Sequence, residues 1–394
     1  MNKMRIALFT DTYPPEINGV ATSCKSLRDT LVSHGHDVLV VTTNPFSDKL
    51  IVENGFVRIP GPELKKMYGY RLANIASRKA LKAIRRFNPD IAHVQTEFTI
   101  GIFARIVINA LNCPSIYTYH TMYEDYTYYV TKGFFDRLGK HFVRSFSKNM
   151  INHYDGFITP SSKTKDYMRR IGVDIYANVI PTGVDFSRFS DKNVDFIKVK
   201  ELKEKFSLDD DTFVLLSLGR IAKEKSIDFS IKCFARFLEI HKDIKAKMVI
   251  VGKGPAVDDL ISLTEQLNIK DKVVFVGPCL PSEVQNYYKL GNAFVSASLS
   301  ETQGLTYMEA MAAHLYVLAR YDHNLLDVIQ EGKTGFFFES EVEFADKMYK
   351  AYLLYKNKDD TMLNLAINSL DNYSIETFYQ RIIKAYKHVI KQRW

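Results

Sequence analysis

An α/β chain built from two parallel-sheet, Rossmann-like domains is what this sequence predicts, and three observations carry that reading. Short, almost continuous apolar runs alternate with helix-like segments through both halves, as in parallel sheets covered by helices on both faces. The length, 394 residues, exceeds what one hydrophobic core fills and suits two domains. The polar motifs fall where a strand gives way to a Gly-containing turn and a helix, at the strand ends where open α/β sheets bind ligands.

In order, strands are expected at Arg5–Thr10, Val38–Thr43, Ile91–Val94, Ser115–Tyr119 and Gly156–Thr159 in the first half. In the second they are expected at Phe213–Leu218, Lys247–Val251, Val273–Val276 and Ala293–Ser296. Periodicity is lost near Pro181-Thr-Gly-Val-Asp185 and through the charged stretch to Asp211. The domains are therefore drawn at 1–185 and 186–374. A last helix, Ile375–Gln392, carries Phe378, Ile382, Ile383, Tyr386 and Ile390 on one face, so residues 375–394 are expected to pack back on the first domain.

Composition narrows the class. With 46% hydrophobic and 25% charged residues, the chain reads as a soluble globular protein. No run approaches the ~20 apolar residues of a membrane span, and the first strand follows the N-terminus directly, so a cytoplasmic protein without a signal peptide is expected. Cys24, Cys113, Cys233 and Cys279 are scattered, with no metal or disulfide spacing. Charge is lopsided: residues 1–180 hold 24 Lys+Arg against 15 Asp+Glu, the remainder 29 against 30. The basic half is the one expected to meet an anionic surface. No zinc spacing or RNA-binding signature accompanies it, so nucleic acid is not an expected partner. A dehydrogenase would need G-x-G-x-x-G after a first strand, and neither half supplies one.

The most informative stretch is Ser298-Leu-Ser-Glu-Thr-Gln-Gly-Leu-Thr-Tyr-Met-Glu-Ala-Met-Ala-Ala313. A strand precedes it and a helix is expected from Tyr307. A helix N-terminus behind Gly304-Leu305 favours an anion through free N–H groups and the helix dipole. Glu301 in the loop and Glu309 in the helix would flank that anion and accept hydroxyl hydrogen bonds, which points to a nucleotide sugar; a helix cap and a solvated charge are the plainer alternative. Gly219-Arg220, with Lys225 five residues on, puts two cations at another strand-to-helix turn, where they would neutralise a diphosphate leaving group. Gly252 and Gly254 make a further Gly-rich loop. In the first half, Asn18-Gly19 opens a helix after the loop from Asp11, and His120 stands at a strand's carboxyl end, where it can bond a sugar hydroxyl or move a proton. His93 is similarly placed.

In order and spacing these pieces resemble the retaining family-4 glycosyltransferases, whose GT-B fold sets two Rossmann-like domains face to face across a deep cleft. The match runs over essentially the whole chain. More narrowly, Asp11-Thr-Tyr-Pro-Pro-Glu-Ile-Asn-Gly-Val-Ala-Thr22, His120-Thr-Met-Tyr-Glu-Asp-Tyr126 and Glu301-Thr-Gln-Gly-Leu-Thr306 are similar to bacterial diacylglycerol glucosyltransferases. The resemblance implies UDP-glucose as donor, diacylglycerol as acceptor and no metal or other cofactor. It implies that Arg220 and Lys225 hold the diphosphate, Glu309 the ribose and Glu301 the donor sugar. Amides around Gly304 and Leu305 would face the phosphates, Asn18-Gly19 the β-phosphate, and His120 the sugar's primary hydroxyl. An already glycosylated lipid or a soluble or cell-surface glycan is the alternative acceptor. Two departures stand out: Asn18 replaces the first glycine of a usual Gly-Gly pair, and Ala313-His-Leu-Tyr316 replaces a usual Ala-x-Gly-x-Pro turn.

Such enzymes sit peripherally on the inner face of the cell membrane. Here Lys65, Lys66, Arg71, Arg78, Lys79, Lys82, Arg85 and Arg86 fall in one acid-free segment, read as a basic amphipathic helix suited to anionic lipid headgroups. A second segment, Lys132–Met150, spaces Phe134, Leu138, Phe142, Phe146 and Met150 by four; it reads equally as a membrane helix or a core helix.

Overall fold

A computed structural model describes all residues except 1, 2, 17, 65–69, 121–147, 150, 300, 302 and 394. The chain divides into two compact units, Met1–Gly183 with Ile375–Trp394, and Val184–Ser374. The first unit thus ends at Gly183 rather than 185, and the last helix belongs to it.

The first unit runs β1 (Arg5–Phe9), α1 (Gly19–Ser33), β2 (Asp37–Thr43), β3 (Ile51–Glu53), β4 (Phe56–Ile59), a small hairpin of β5 (Glu63–Leu64) and β6 (Tyr70–Arg71), then α2 (Arg78–Phe87), β7 (Ile91–Val94), α3 (Thr99–Leu111), β8 (Ser115–Thr118), β9 (Gly156–Thr159), α4 (Ser162–Arg170) and β10 (Ala177–Val179). Its sheet order is β10-β9-β8-β7-β1-β2-β4-β3. All neighbours are parallel except β3 against β4. One face is packed by Ile84, Phe103, Val107 and Met168. The other carries Leu27 and Leu31 of α1 with Ile382, Ile383 and Tyr386 of the last helix. Each such side chain, fully buried, stabilises by about 1.5–3 kcal/mol relative to exposure. The last helix lies so close to β9 that a Cβ on Gly156 would stand 2.6 Å from Val389.

The second unit runs α5 (Phe196–Lys205), β11 (Phe213–Leu218), α6 (Ile227–Ile240), β12 (Ala246–Val251), α7 (Val257–Gln266), β13 (Val273–Gly277), α8 (Val284–Tyr288), β14 (Ala293–Ser296), α9 (Leu305–Ala312), β15 (Tyr316–Arg320), β16 (Phe336–Phe338), α10 (Glu341–Lys356) and α11 (Thr361–Ser369). The last helix, α12 (Ile375–Arg393), follows. The second sheet, β13-β12-β11-β14-β15-β16, is parallel throughout. Strand order reverses between β1 and β7 in one sheet and between β11 and β14 in the other. A crevice opens beyond the strand ends at such a switch point, because the flanking helices leave on opposite faces.

The basic segment departs from expectation. Lys65 and Lys66 lie outside the described residues, Arg71 sits in the hairpin, and only Arg78–Phe87 is helical. The helix starts there because the Ser77 side chain accepts from the Ala80 N–H at 3.3 Å and caps it. Lys132–Met150 lies almost wholly outside the described residues. Among the described residues, no helix is long and apolar enough to cross a membrane.

Candidate active site

In the second unit, β11 delivers Gly219 and Arg220 to the switch point. Its loop is stitched to its neighbours by backbone hydrogen bonds: Gly219 to Val251, Ile221 to Lys253, and Gly252 to Gly277, at 3.0, 3.0 and 2.9 Å. The approach is tight. A Cβ on Gly252 would lie 1.9 Å from the Gly219 carbonyl oxygen, and one on Gly254 2.0 Å from that of Ile221. Both glycines, expected from sequence to meet a donor, are thus required by packing of the Arg220 turn. Gly219 itself has open space where its Cβ would be.

Each expected cation is paired. Arg220, whose side chain is 52% exposed, donates to Glu224 four residues on. Lys225 Nζ donates to Glu301 Oε1 at 2.7 Å, and here the cation is more shielded, at 30% exposure with Glu301 at 13%. Exposed pairs contribute about 0–1 kcal/mol to stability; what the shielded one chiefly supplies is geometry, since it joins the β11 loop to the β14 loop. Glu301 is held a second time, because Asn324 Nδ2 donates to its carbonyl oxygen. Asn324 is fixed in turn by its own N–H donating to Asp322 Oδ1 at 2.9 Å.

Gly304 precedes α9 with φ +73, a left-handed conformation that favours glycine, and a Cβ there would lie 2.6 Å from Leu325. Leu305 opens the helix, and Glu309 follows one turn on. Glu309 Oε2 accepts from the hydroxyl of Tyr288 at 2.9 Å. Burial pushes the Glu309 carboxyl above its usual range, opposed by that hydrogen bond and then by Arg188.

In the first unit, Asp11 lies in the loop after β1 and is consumed by structure. Its carboxylate accepts from Thr96 Oγ1 at 2.6 Å, Thr99 Oγ1 at 2.8 Å and the Ile100 N–H at 2.8 Å, which caps α3 from across the sheet. Asn18 caps α1: its Oδ1 accepts from the Ala21 N–H at 2.8 Å, and its Nδ2 donates to Thr12 at 2.7 Å. A second glycine could not make these bonds, which accounts for asparagine in the loop. Gly19, the first residue of α1, has nothing within 4 Å of where a Cβ would stand.

His120 Nε2 lies 2.5 Å from Oε1 of Gln95, itself 3% exposed. Burial pushes the His120 pKa down to about 4. His93 is a core residue: its ring nitrogens meet Tyr386 and Thr118, each at 2.7 Å, and burial pushes it down to about 3. Tyr117 is likewise core, stacked on Tyr154 and Phe157 at 5.2 and 6.1 Å.

On the basic helix, Arg78, Lys79, Lys82, Arg85 and Arg86 are all exposed, whereas Arg71 is engaged by Asp48 at 2.6 Å. Gln95, Tyr288 and Asn324 were not anticipated. Among the described residues no group of three or more His, Cys, Asp or Glu is arranged to hold a metal ion. A cleft of about 520 Å³ along β16, lined by Tyr321, Leu326, Phe337 and Phe338, contains none of the site residues.

Comparison with known proteins agrees with this layout. Residues 17–188 match the profile described as Glycosyltransferase Family 4, and residues 198–367 that of Glycosyl transferases group 1. The chain is 35% identical to the alpha-monoglucosyldiacylglycerol synthase of Streptococcus pneumoniae, over 98% of this chain and 86% of that protein. It is 34% identical to the synthase of the same name from Acholeplasma laidlawii, over 86% of each. Among solved structures, sucrose-phosphate synthase from Thermosynechococcus elongatus superposes with a TM-score of 0.75 at 18% identity, over 99% of this chain and 100% of that one. HepE of Anabaena in complex with UDP-glucose gives 0.73 at 14% identity, over 98% and 100%. These structural likenesses establish the GT-B fold. The chain belongs to the family-4 glycosyltransferases, in the branch that contains the alpha-monoglucosyldiacylglycerol synthases.

Proposed function

We propose that this protein is a retaining glucosyltransferase that moves glucose from UDP-glucose to diacylglycerol at a membrane surface, giving α-glucosyl-diacylglycerol. The observation that carries the reading is the cluster at the second switch point, with Arg220 and the Lys225–Glu301 pair on adjoining loops and Glu309 in the helix that follows. Cations beside hydroxyl acceptors are what a sugar diphosphate needs. The acceptor is inferred from the synthases of S. pneumoniae and A. laidlawii. The five exposed cations of α2 support work at an anionic lipid surface.

On this reading Arg220 and Lys225 neutralise the diphosphate, most strongly as the glycosidic bond breaks, and so lower the barrier without a metal. Glu309 accepts ribose hydroxyls, Glu301 accepts sugar hydroxyls, and the N–H groups at Gly304 and Leu305 face phosphate. His120, neutral at physiological pH, bonds the sugar's primary hydroxyl, and Asn18-Gly19 receives the β-phosphate. The acceptor hydroxyl attacks the anomeric carbon on the face the phosphate leaves. One C–O bond forms as the other breaks, the leaving phosphate oxygen takes the acceptor's proton, and configuration is retained.

The test is transfer of labelled sugar to diacylglycerol in anionic vesicles, with and without chelator, against vesicles lacking diacylglycerol and with UDP-galactose as rival donor. A diacylglycerol-dependent α-glucolipid that survives the chelator is expected. UDP release without that product would move the acceptor to a glycosylated lipid or a glycan; a preference for UDP-galactose would overturn the donor.

A further inference from the structure

Tyr288 belongs to the second unit's cluster, yet like Asn324 it lies outside every sequence motif read above. It ends α8 and is fully buried. Its ring stands edge-on to Phe189 at 5.5 Å and tilted against Phe294 at 6.0 Å. In that apolar shell its hydroxyl lies 2.9 Å from Glu309 Oε2 and 3.3 Å from the Thr306 carbonyl oxygen. A buried tyrosine hydroxyl normally has a partner, but a partner on the second glutamate of an E-x7-E pair has a further consequence.

We infer that Tyr288 is a positioning residue for nucleotide recognition: by occupying Oε2 it fixes the Glu309 carboxylate in one orientation and leaves Oε1 to accept a ribose hydroxyl, so that the site distinguishes ribose from deoxyribose. The inference rests on the reading of Glu309 as the ribose ligand. A glutamate on a helix surface otherwise samples several rotamers and must be ordered when the nucleotide binds. Here the ordering is completed during folding, on a rigid side chain packed between two phenylalanines.

Electrostatics around the pair agree. The titratable groups of the described residues that act on Glu309 and Tyr288 are Arg188 from the turn before α5 and Cys279 from the loop after β13. Burial raises the Glu309 carboxyl, and the Tyr288 hydroxyl is the larger of the two influences that restrain it. Without the hydroxyl, Glu309 protonates at a higher pH and loses its capacity to accept two hydrogen bonds.

The experiment compares UDP with dUDP, its deoxyribose analogue, by calorimetry on the full chain across pH, for the parent protein, Tyr288→Phe, Glu309→Gln and the double variant, with melting curves alongside. Parent protein is expected to prefer UDP. Tyr288→Phe should weaken UDP binding about tenfold, the worth of a hydrogen bond to a charged group, while barely changing dUDP binding. The acid limb of UDP binding should move to higher pH, and the double variant should discriminate no less than Glu309→Gln alone. Equal weakening of both nucleotides by Tyr288→Phe, or an unmoved preference and pH profile, overturns the inference even if melting temperature falls, and leaves the ribose reading intact. A Glu309→Gln variant that still prefers UDP overturns the ribose reading itself.

Discussion

The two units end their sheets in opposite ways. At the carboxyl edge of the first, polar groups are buried and tied into hydrogen bonds: the Asp11 carboxylate accepts three, Gln95 and Glu97 are 3% and 2% exposed, and burial holds His93 and His120 uncharged at neutral pH. At the carboxyl edge of the second, Arg220–Glu224 and Lys225–Glu301 are ion pairs with partial access to water. Burying a lone charge costs far more than burying a hydrogen-bonded neutral group. The first edge therefore keeps its shape without an exposed charge, whereas the second holds paired charges that water still reaches.

That contrast is broken most directly in the second unit. Removing either Arg220 or Glu309 with alanine should lower transfer roughly 10²–10³-fold, as losing a preorganised charge contact does, with circular dichroism unchanged. Near-normal turnover in either variant would leave the ion-paired edge without a chemical part. Mutating the first unit's Asn18 to alanine should instead cost about 1 kcal/mol of helix capping, read as a lower melting temperature.

The exposed cations of α2 give the next largest effect. At about 1 kcal/mol per residue near an anionic surface, neutralising Arg78, Lys79, Arg85 and Arg86 together should weaken vesicle binding by a few kcal/mol and flatten its salt dependence. Flotation with anionic vesicles at two salt concentrations checks this, and unchanged binding would place the membrane contact elsewhere. Gly254→Ala follows: a methyl group 2.0 Å from the Ile221 carbonyl must displace backbone, costing about 1–3 kcal/mol. Because the displaced turn carries Arg220, KM for the nucleotide sugar should rise with the loss of stability. A stable variant with normal KM would show that the turn tolerates the shift.

How much of this was legible in the sequence follows from the same physics. Strands buried on both faces are mostly apolar runs, so Phe213–Leu218 and Ile91–Val94 read directly despite Ser217 and His93 within them. The site glycines and glutamates read from their place after those strands. Phe336–Phe338 is only three residues long, too short for a periodic signal. Tyr288, Gln95 and Asn324 reach their partners across 21, 25 and 23 residues, and nothing local marks such a pairing. The basic segment was over-read because a count of cations is blind to where a helix starts, although Ser77 is a cap signal in plain view. The packing role of Gly252 and Gly254 was hidden for another reason: a glycine required by backbone packing and one required by a ligand look the same in sequence.

The finest test of the contrast is acid stability. His93 is lowered from 6.5 to about 3 and His120 from 6.5 to about 4 by burial. Each binds a proton more readily unfolded than folded, so its contribution to stability is full above about pH 6.5 and is lost as pH falls through the window toward 4. Glu309 in the second unit has the opposite sign, because a raised carboxyl favours the folded state as pH falls. Asp11 in the first unit shares that sign, so the bulk curve mixes the two. The difference between parent and His93→Gln isolates the histidine part: the variant should be less stable at neutral pH, with the gap closing as pH drops from about 6.5 to 4. Hydrogen exchange should place that closing gap in β7, β8 and α12, the elements that share the His93 hydrogen bonds, and leave β11 and β14 unmoved. A gap that stays constant across the window would mean that folding does not shift the His93 titration, and the reading of His93 as a histidine held uncharged by burial would fall with it.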